Sequence, residues 1–446
     1  MIRKATLLVA GIMIGAGATL GVTQPGVFSG GKAIAAASDT YRELNLFGDV
    51  FERIRSDYVE EPEDKQLIKS AIDGMLAGLD PHSSYLDPES FADMRVQTSG
   101  KFGGLGIEVT MEEGILKVIS PMDGTPAAKA GILANDIIIA LDGEQVQGLT
   151  LNDAVDRMRG DIGTPIKLTI QREGSDTPIE IEIVRAEITV QAVRSRQEGD
   201  IGYIRISSFS EQTFDGMKSA IDKLTDEIGA DKVQGWVIDL RNNPGGLLDQ
   251  SIAISDAFLN HGEIVSTRGR HADEIQRFNA HTGDLVNGKP VIILVNGGSA
   301  SASEIVAGAL QDHRRATIVG TRSFGKGSVQ TIVPLGSDGA LRLTTARYYT
   351  PSGTSIQATG IVPDVEVIQE LPPELAAQFS GEPRGESGLK GHLTGEGEEE
   401  GQASGSLAYV PPDPKDDKQL NYALDLLRGL QVNSAFPPDP NQGIPN

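Results

Sequence analysis

Residues 296–330 (NGGSASASEIVAGALQDHRRATIVGTRSFGKGSVQ) hold alternate serines, then a lysine between glycines, then a glutamine four residues on. Such a set can supply a nucleophile, a base and an orienting group for peptide-bond hydrolysis without histidine or cysteine. Ser299, Ser301 and Ser303 follow an apolar run at 291–295 and open a helical pattern. A serine at a helix start exposes its hydroxyl, and the N–H groups around it can stabilise an anion. Ser301 also stands three positions before Glu304, the spacing of a capping box, so its local pattern alone reads as structural.

Lys326 shifts that balance. A lysine base must be neutral, yet free lysine has a pKa of about 10.4. Burial can lower it by about 3–5 units, at about 1.36 kcal/mol per unit. Phe324, Gly325 and Gly327 around it let backbone approach closely with little bulk. Gln330 lies an even number of residues away in a β-branched run, so a regular strand puts both side chains on one face. Its carboxamide oxygen could then aim the lysine nitrogen. Serine–lysine chemistry of this type is a variant of triad logic.

One other reading competes for the lysine. Residues 320–326 (GTRSFGK) fit most of a phosphate-binding P-loop, but Gly327 stands where a magnesium-holding Ser or Thr belongs. The strand-like SVQTIV that follows also replaces the helix which would hold phosphate, so a nucleotide site is rejected. Residues 239–246 (DLRNNPGG) end an apolar run in a proline and two glycines, and read alone as a strand-to-helix turn. There an unobstructed N–H could face a site as an oxyanion donor. His82, in Asp80-Pro81-His82, reads as a packed turn residue at a helix stop.

The elements that must position these groups change character along the chain. Residues 39–78 are helical by periodicity, with one run at 44–54 and another at 67–79. Residues 97–187 alternate short β-branched runs (107–110, 116–119, 137–141, 166–171, 179–184) with turns and two helical patches, 126–130 and 151–158. From Asp200 apolar runs at 201–206, 235–240 and 290–295 alternate with helical patterns at 212–224 and 247–259, as in an α/β sandwich with a buried sheet. A β-rich finish at 328–335 and 341–349 closes this domain near Val367. Residues 369–405 are rich in Gly, Glu and Pro and read as a flexible linker. Residues 419–430 regain helical periodicity before a Pro-rich end expected to be disordered.

Composition limits the function classes. A formal net charge of −23 argues against a nucleic-acid partner. The absence of cysteine excludes disulfides, thiolate metal sites and a lipobox anchor. Arg3 and Lys4 followed by an apolar run from 5 to 22 and small residues at 33–37 resemble an export signal. The run is close to the roughly 17–20 residues that span a bilayer, so an uncleaved anchor is the alternative reading. Either way the body is placed outside the cytoplasm, in a bacterial periplasm or cell envelope.

The 97–187 module, with KFGGLGIEV and TPAAKAGILANDIIIALDGEQV, resembles a PDZ domain of the bacterial kind. That resemblance implies a cradle at Gly104, Leu105, Gly106 and Ile107, whose N–H groups would hold a terminal carboxylate while the ligand adds as a strand. The motifs GGLGIEV, DLRNNPGG, SASASEI and FGKGSVQ, in this order, resemble the carboxyl-terminal processing (tail-specific) serine peptidase family over about residues 40–367. The resemblance implies Ser301 as nucleophile, Lys326 as base, Gln330 as support, and oxyanion donors at Ala302 and at Gly245 or Gly246. It also makes Arg159, in RMRGDIG, a candidate relay between tail binding and catalysis.

The implied fold is a multidomain α/β and β chain. It comprises a signal or anchor (1–37), N-terminal helices (38–96) expected to pack with the core, a PDZ domain (97–187), an α/β crotonase-like peptidase core (188–367) and an acidic linker with a terminal helix (368–446). The implied partners are proteins with apolar C-termini, an adaptor or activator, and a second copy of the chain. No cofactor or metal is called for, and membrane contact is confined to residues 1–37. The rival readings are a non-catalytic PDZ scaffold with a decayed peptidase domain and an acyl-CoA hydratase-like enzyme.

Overall fold

Apolar residues at three- and four-residue spacing form helices α1 (Ser29–Asp57) and α2 (Asp64–Ala77), as the periodicity predicts. The computed structural model describes residues 29–112, 114–175, 177–376, 385–396, 404–439 and 443, in two units, 1–74 and 75–446. Residues 1–28, which carry most of the expected export segment, lie outside the described residues. Among the described residues no helix is long and apolar enough to cross a membrane.

In the second unit, strand β1 (Ser84–Leu86) precedes helix α3 (Pro88–Ser99). The Asp87 carboxylate caps α3 by accepting from Ser90 N–H, and Gly100 ends it in the left-handed conformation (φ 64°). A two-stranded ribbon, β2 (Lys101–Gly104) with β9 (Ala186–Thr189), then brackets the β-rich module. Inside it, β3 (Ile107–Glu112), β4 (Ile115–Pro121), β5 (Ile137–Leu141), β7 (Pro165–Gln171) and β8 (Ile179–Val184) pair antiparallel in that order, with β6 (Glu144–Gln145) on β5. Its core takes Val118, Ile138, Leu168 and Ile170 from the sheet and Ala154 and Met158 from helix α5 (Leu151–Met158), with α4 (Pro126–Lys129) as the other patch.

The larger domain is built on a six-stranded sheet, β10 (Val193–Glu198), β11 (Ile201–Ile206), β12 (Gly235–Asp239), β15 (Val291–Val295), β16 (Ala316–Gly320) and β19 (Val365–Glu366). All neighbours but β10–β11 are parallel. β12, β15 and β16 are buried along their whole length, because both faces are covered. Ile238, Ile293 and Ile318 face α6 (Thr213–Ile228), α7 (Leu248–Asp256) and α8 (Ala302–Asp312). Val237, Ile292, Leu294 and Val319 face the terminal helix α9 (Lys418–Leu427) through Leu420, Leu424 and Leu426. A second, antiparallel sheet runs β1–β18–β13–β14, with β17 on β18: β13 (Glu263–Arg268), β14 (Gln276–Asn279), β17 (Ser328–Pro334) and β18 (Ala340–Tyr349).

The expectation of a flexible linker over 369–405 does not hold for its described part. Glu386 and Ser404 are fully buried. Hydrogen bonds do the work that apolar contacts usually do: Gly385 N–H donates to Ser404 O (2.9 Å), and Gly405 N–H to Ser323 O (2.9 Å). A Cβ on Gly385 would lie 2.4–2.5 Å from the backbone of Ser404 and Phe324, which leaves room only for glycine. Residues 377–384 and 397–403 of that segment lie outside the described residues. Nor does the core end at Val367, since α9 closes one face of its main sheet.

Candidate active site

The three serines after β15 are not equivalent. Ser299 Oγ donates to Leu240 O (2.9 Å) and Ser303 Oγ to Asn243 O (2.9 Å), and both residues are fully buried. Those bonds stitch the serine segment to the DLRNNPGG turn. Ser301 is half-buried and its side chain makes no capping hydrogen bond. Its backbone is held at φ 55°, ψ −111°, a conformation an L-residue adopts only under constraint. The constraint comes from Glu304, which accepts from Ser301 N–H (2.8 Å).

Glu304 also reaches the lysine loop. Its Oε1 accepts from Ser323 Oγ (2.5 Å) and Gly325 N–H (2.7 Å), and its Oε2 from Lys326 N–H (2.9 Å). One buried carboxylate therefore fixes the backbones of Ser301 and Lys326 to each other. Burial pushes the Glu304 carboxyl up to about 7, against hydrogen bonds from Ser323, Gly325, Ser301 and Lys326 that favour its ionised form. Burial likewise lowers the Lys326 ammonium below the ordinary lysine value, and the Arg342 guanidinium adds to this, while Glu386, Glu304 and Asp80 oppose it.

Gln330 is reached differently from the strand-face expectation. Lys326 precedes β17, which starts at Ser328, and the register with β18 shifts between Val329 and Gln330, so the even-spacing argument fails. Gln330 Nε2 donates to Ser328 Oγ (2.9 Å) and Thr344 Oγ1 (3.3 Å). Thr344 Oγ1 in turn donates to Asp80 Oδ1 (3.1 Å). Burial alone would raise the Asp80 carboxyl, but hydrogen bonds from Ser83, His82 and Thr344 hold it below its ordinary value.

Gly245 packs directly against the serine: a Cβ there would lie 2.9 Å from Ser301 Cβ and 3.1 Å from Ala302 N. Its own N–H is already committed to Asn243 Oδ1 (2.9 Å), which removes it as an oxyanion donor. Gly246 differs. In its parallel bridge to Phe209 the bonds run Phe209 N–H to Gly245 O (3.0 Å) and Leu247 N–H to Phe209 O (2.8 Å). That geometry turns Gly246 N–H away from Phe209, and among the described residues neither it nor Ala302 N–H has an acceptor. A cavity of about 980 Å³ opens beside Val329, Thr331 and Thr344, with Arg268, Arg270 and Arg347 on its walls.

In the β-rich module, Gly104, Leu105, Gly106 and Ile107 line a cavity of about 220 Å³ with Val155 and Met158. Arg159 sits at the same cavity, 5.2 Å over the Phe102 ring, and donates to Asp93 Oδ1 (2.8 Å) on α3. A groove residue thus touches a helix outside the module.

Profiles of known families match in three places: Peptidase family S41 at residues 200–367, PDZ domain at 103–183, and Activating protease CtpB N-terminal domain at 15–90. The carboxy-terminal-processing protease of Bartonella bacilliformis is 58% identical over 99% of this chain and all of its own. The chain belongs to peptidase family S41. It is accordingly a serine-type, carboxy-terminal-processing peptidase with a PDZ domain. The carboxyl-terminal-processing protease of Synechocystis is 39% identical over 71% of this chain and 75% of its own. The photosystem II D1 C-terminal processing protease is 31% identical, covering 73% of this chain and 88% of that one, with a TM-score of 0.43.

Three polar residues of this S41 peptidase were not found as site residues from its sequence. Glu304 was visible only as a cap, because its reach to Gly325 and Lys326 is a tertiary fact. His82 reads from sequence as a turn residue, and its N–H does bond Asp80 Oδ1 (2.8 Å), but its Nε2 also reaches the Glu386 carboxylate (2.8 Å). Glu386 lies in the stretch whose composition reads as a flexible linker.

Proposed function

We propose that this S41 peptidase is an exported endopeptidase that captures apolar protein C-termini in its PDZ groove and cleaves them with Ser301 and Lys326. The observation that carries the reading is the sorting of the serines. Ser299 and Ser303 spend their hydroxyls on backbone carbonyls, while Ser301 presents its own beside Gly245 and is tied through Glu304 to the loop of a half-buried lysine. In this reading Ser301 Oγ attacks the substrate carbonyl as Lys326 takes its proton. Gly246 and Ala302 N–H stabilise the oxyanion. Lys326 returns the proton to the leaving amine, and water hydrolyses the acyl-enzyme by the same route in reverse. Gln330, held through Thr344 by Asp80, keeps its carboxamide oxygen available to the lysine.

At the PDZ groove, Leu105 and Gly106 N–H are without acceptors among the described residues, which suits a terminal carboxylate. Arg159 carries the occupied state to α3 through Asp93. The basic start at Arg3 and Lys4 with its apolar run supports export. A mass-spectrometric digest of a loosely folded protein with an apolar C-terminal tail tests the reading. Wild type should cut it, S301A should not, and amidating the tail should slow cleavage. Cleavage by purified S301A would refute the nucleophile, and indifference to amidation would refute carboxylate capture.

A further inference from the structure

We propose that Glu386, in the segment beyond the S41 match, is a positioning residue for Lys326, acting through Gln357 and supported by His82. The inference rests on Lys326 being the peptidase base.

Lys326 sits on a loop without regular structure, and its place depends on the bonds of Phe324–Gly327. All four N–H groups are used. Phe324 donates to Ser299 O (3.0 Å), Gly325 and Lys326 donate to Glu304 (2.7 and 2.9 Å), and Gly327 donates to Gln357 Oε1 (3.0 Å). One end of the loop is therefore fixed by a carboxylate and the other by a carboxamide.

A carboxamide can turn over, and only one of its two orientations offers oxygen to Gly327. Glu386 selects that orientation. Its carboxylate only accepts, and Gln357 Nε2 donates to Glu386 Oε1 (3.0 Å) and to Leu393 O (2.9 Å). The two acceptors hold the NH₂ group away from Gly327 and leave Oε1 facing it. Glu386 also donates its N–H to Phe324 O (2.9 Å), so it grips the same loop from both sides of Lys326. His82 Nε2 lies 3.0 and 2.8 Å from the two carboxylate oxygens and fixes Glu386 in turn. Gln357 and Glu386 are both fully buried, so water cannot substitute for any of these partners.

The charge of Glu386 faces Lys326 as well, alongside Arg342, Glu304 and Asp80, with His82 bonded to Glu386 itself. Its removal takes away an anion that favours the ammonium form. Position and charge can therefore be told apart, because a carboxamide at 386 keeps an acceptor for Gln357 but loses the charge.

The test uses the full chain, with E386A, E386Q, Q357L and H82A assayed on a fluorogenic peptide with an apolar C-terminus beside K326A. E386A and Q357L should lower kcat about tenfold or more with KM within about twofold. E386Q should recover most of kcat, while both 386 variants move the rising limb of the kcat/KM profile to lower pH. H82A should fall between wild type and E386A. Wild-type kcat and pH profile in all four would overturn the proposal, as would losses confined to thermal stability in variants whose folded fraction turns over normally. If E386A does not fold, E386Q and Q357L decide on the same readouts. Full activity of E386A beside an inactive K326A would sink the role of Glu386 alone, whereas turnover by K326A would sink the lysine base on which it rests.

Discussion

At the scale of single residues, the spacing SASAS says little until the hydroxyls are followed to their partners. Ser301 can lose its hydroxyl without breaking a structural bond, so S301A should abolish turnover with stability within about 0.5 kcal/mol of wild type. S303A removes a buried bond to Asn243 O and should cost about 1–3 kcal/mol in a denaturant titration. Glu304 gives a second, pH-dependent signature. Its folded-state carboxyl is pushed up to about 7 from an ordinary value of 4.5, so the native state holds the proton more tightly than the unfolded chain. Its effect on stability is therefore absent below about pH 4.5 and grows more unfavourable as pH rises towards 7. The difference in unfolding free energy between wild type and E304Q should change over this window by an amount of order 3 kcal/mol. A flat difference would contradict the burial argument. The serine and lysine motifs were legible because each is local in sequence. The strand-face reason for Gln330 does not hold, since the strand starts at Ser328 and slips its register before Gln330, which no local pattern reveals.

At the scale of elements, the β-rich module was legible almost to the residue: β5, α5 and β8 lie at 137–141, 151–158 and 179–184, because alternation and capping are both written locally. Its attachment was not. The β2–β9 ribbon pairs residues some eighty positions apart, and Arg159 bonds Asp93 on a helix outside the module. That ion pair is partly exposed and is worth at most about 1 kcal/mol, so its importance lies in connection more than in stability. R159A should leave cleavage of a short, tail-less peptide within about twofold of wild type. It should shrink the advantage of a protein with a free apolar tail over the amidated one by about fivefold or more, a coupling of the size common between linked sites. Equal tail dependence in R159A and wild type would remove Arg159 as a relay.

At the scale of the whole molecule, composition misled about the end of the chain. A Gly-, Glu- and Pro-rich stretch has too few apolar groups to build a core, but it can hydrogen-bond to one already built, and that distinction is invisible without the loop it meets. Leu424 is almost fully buried against the main sheet, so L424A should cost about 2–5 kcal/mol. A loss below about 1 kcal/mol in chemical denaturation would return α9 to the status of an appendage. The Asp417 cap of that helix also meets Arg241 (2.7 Å), which in turn holds Asp239 at the head of the DLRNNPGG turn. The same arrangement sets a timetable. β1 pairs with β18 across the whole β-rich module, a gap of about 250 residues, and at about 5–20 residues per second a ribosome needs tens of seconds to make β1 its partner. Glu386 and Asp417 come later still. A nascent chain extended only as far as Lys326 therefore still lacks the Glu386 bond to the lysine loop and the Asp417 bond to Arg241.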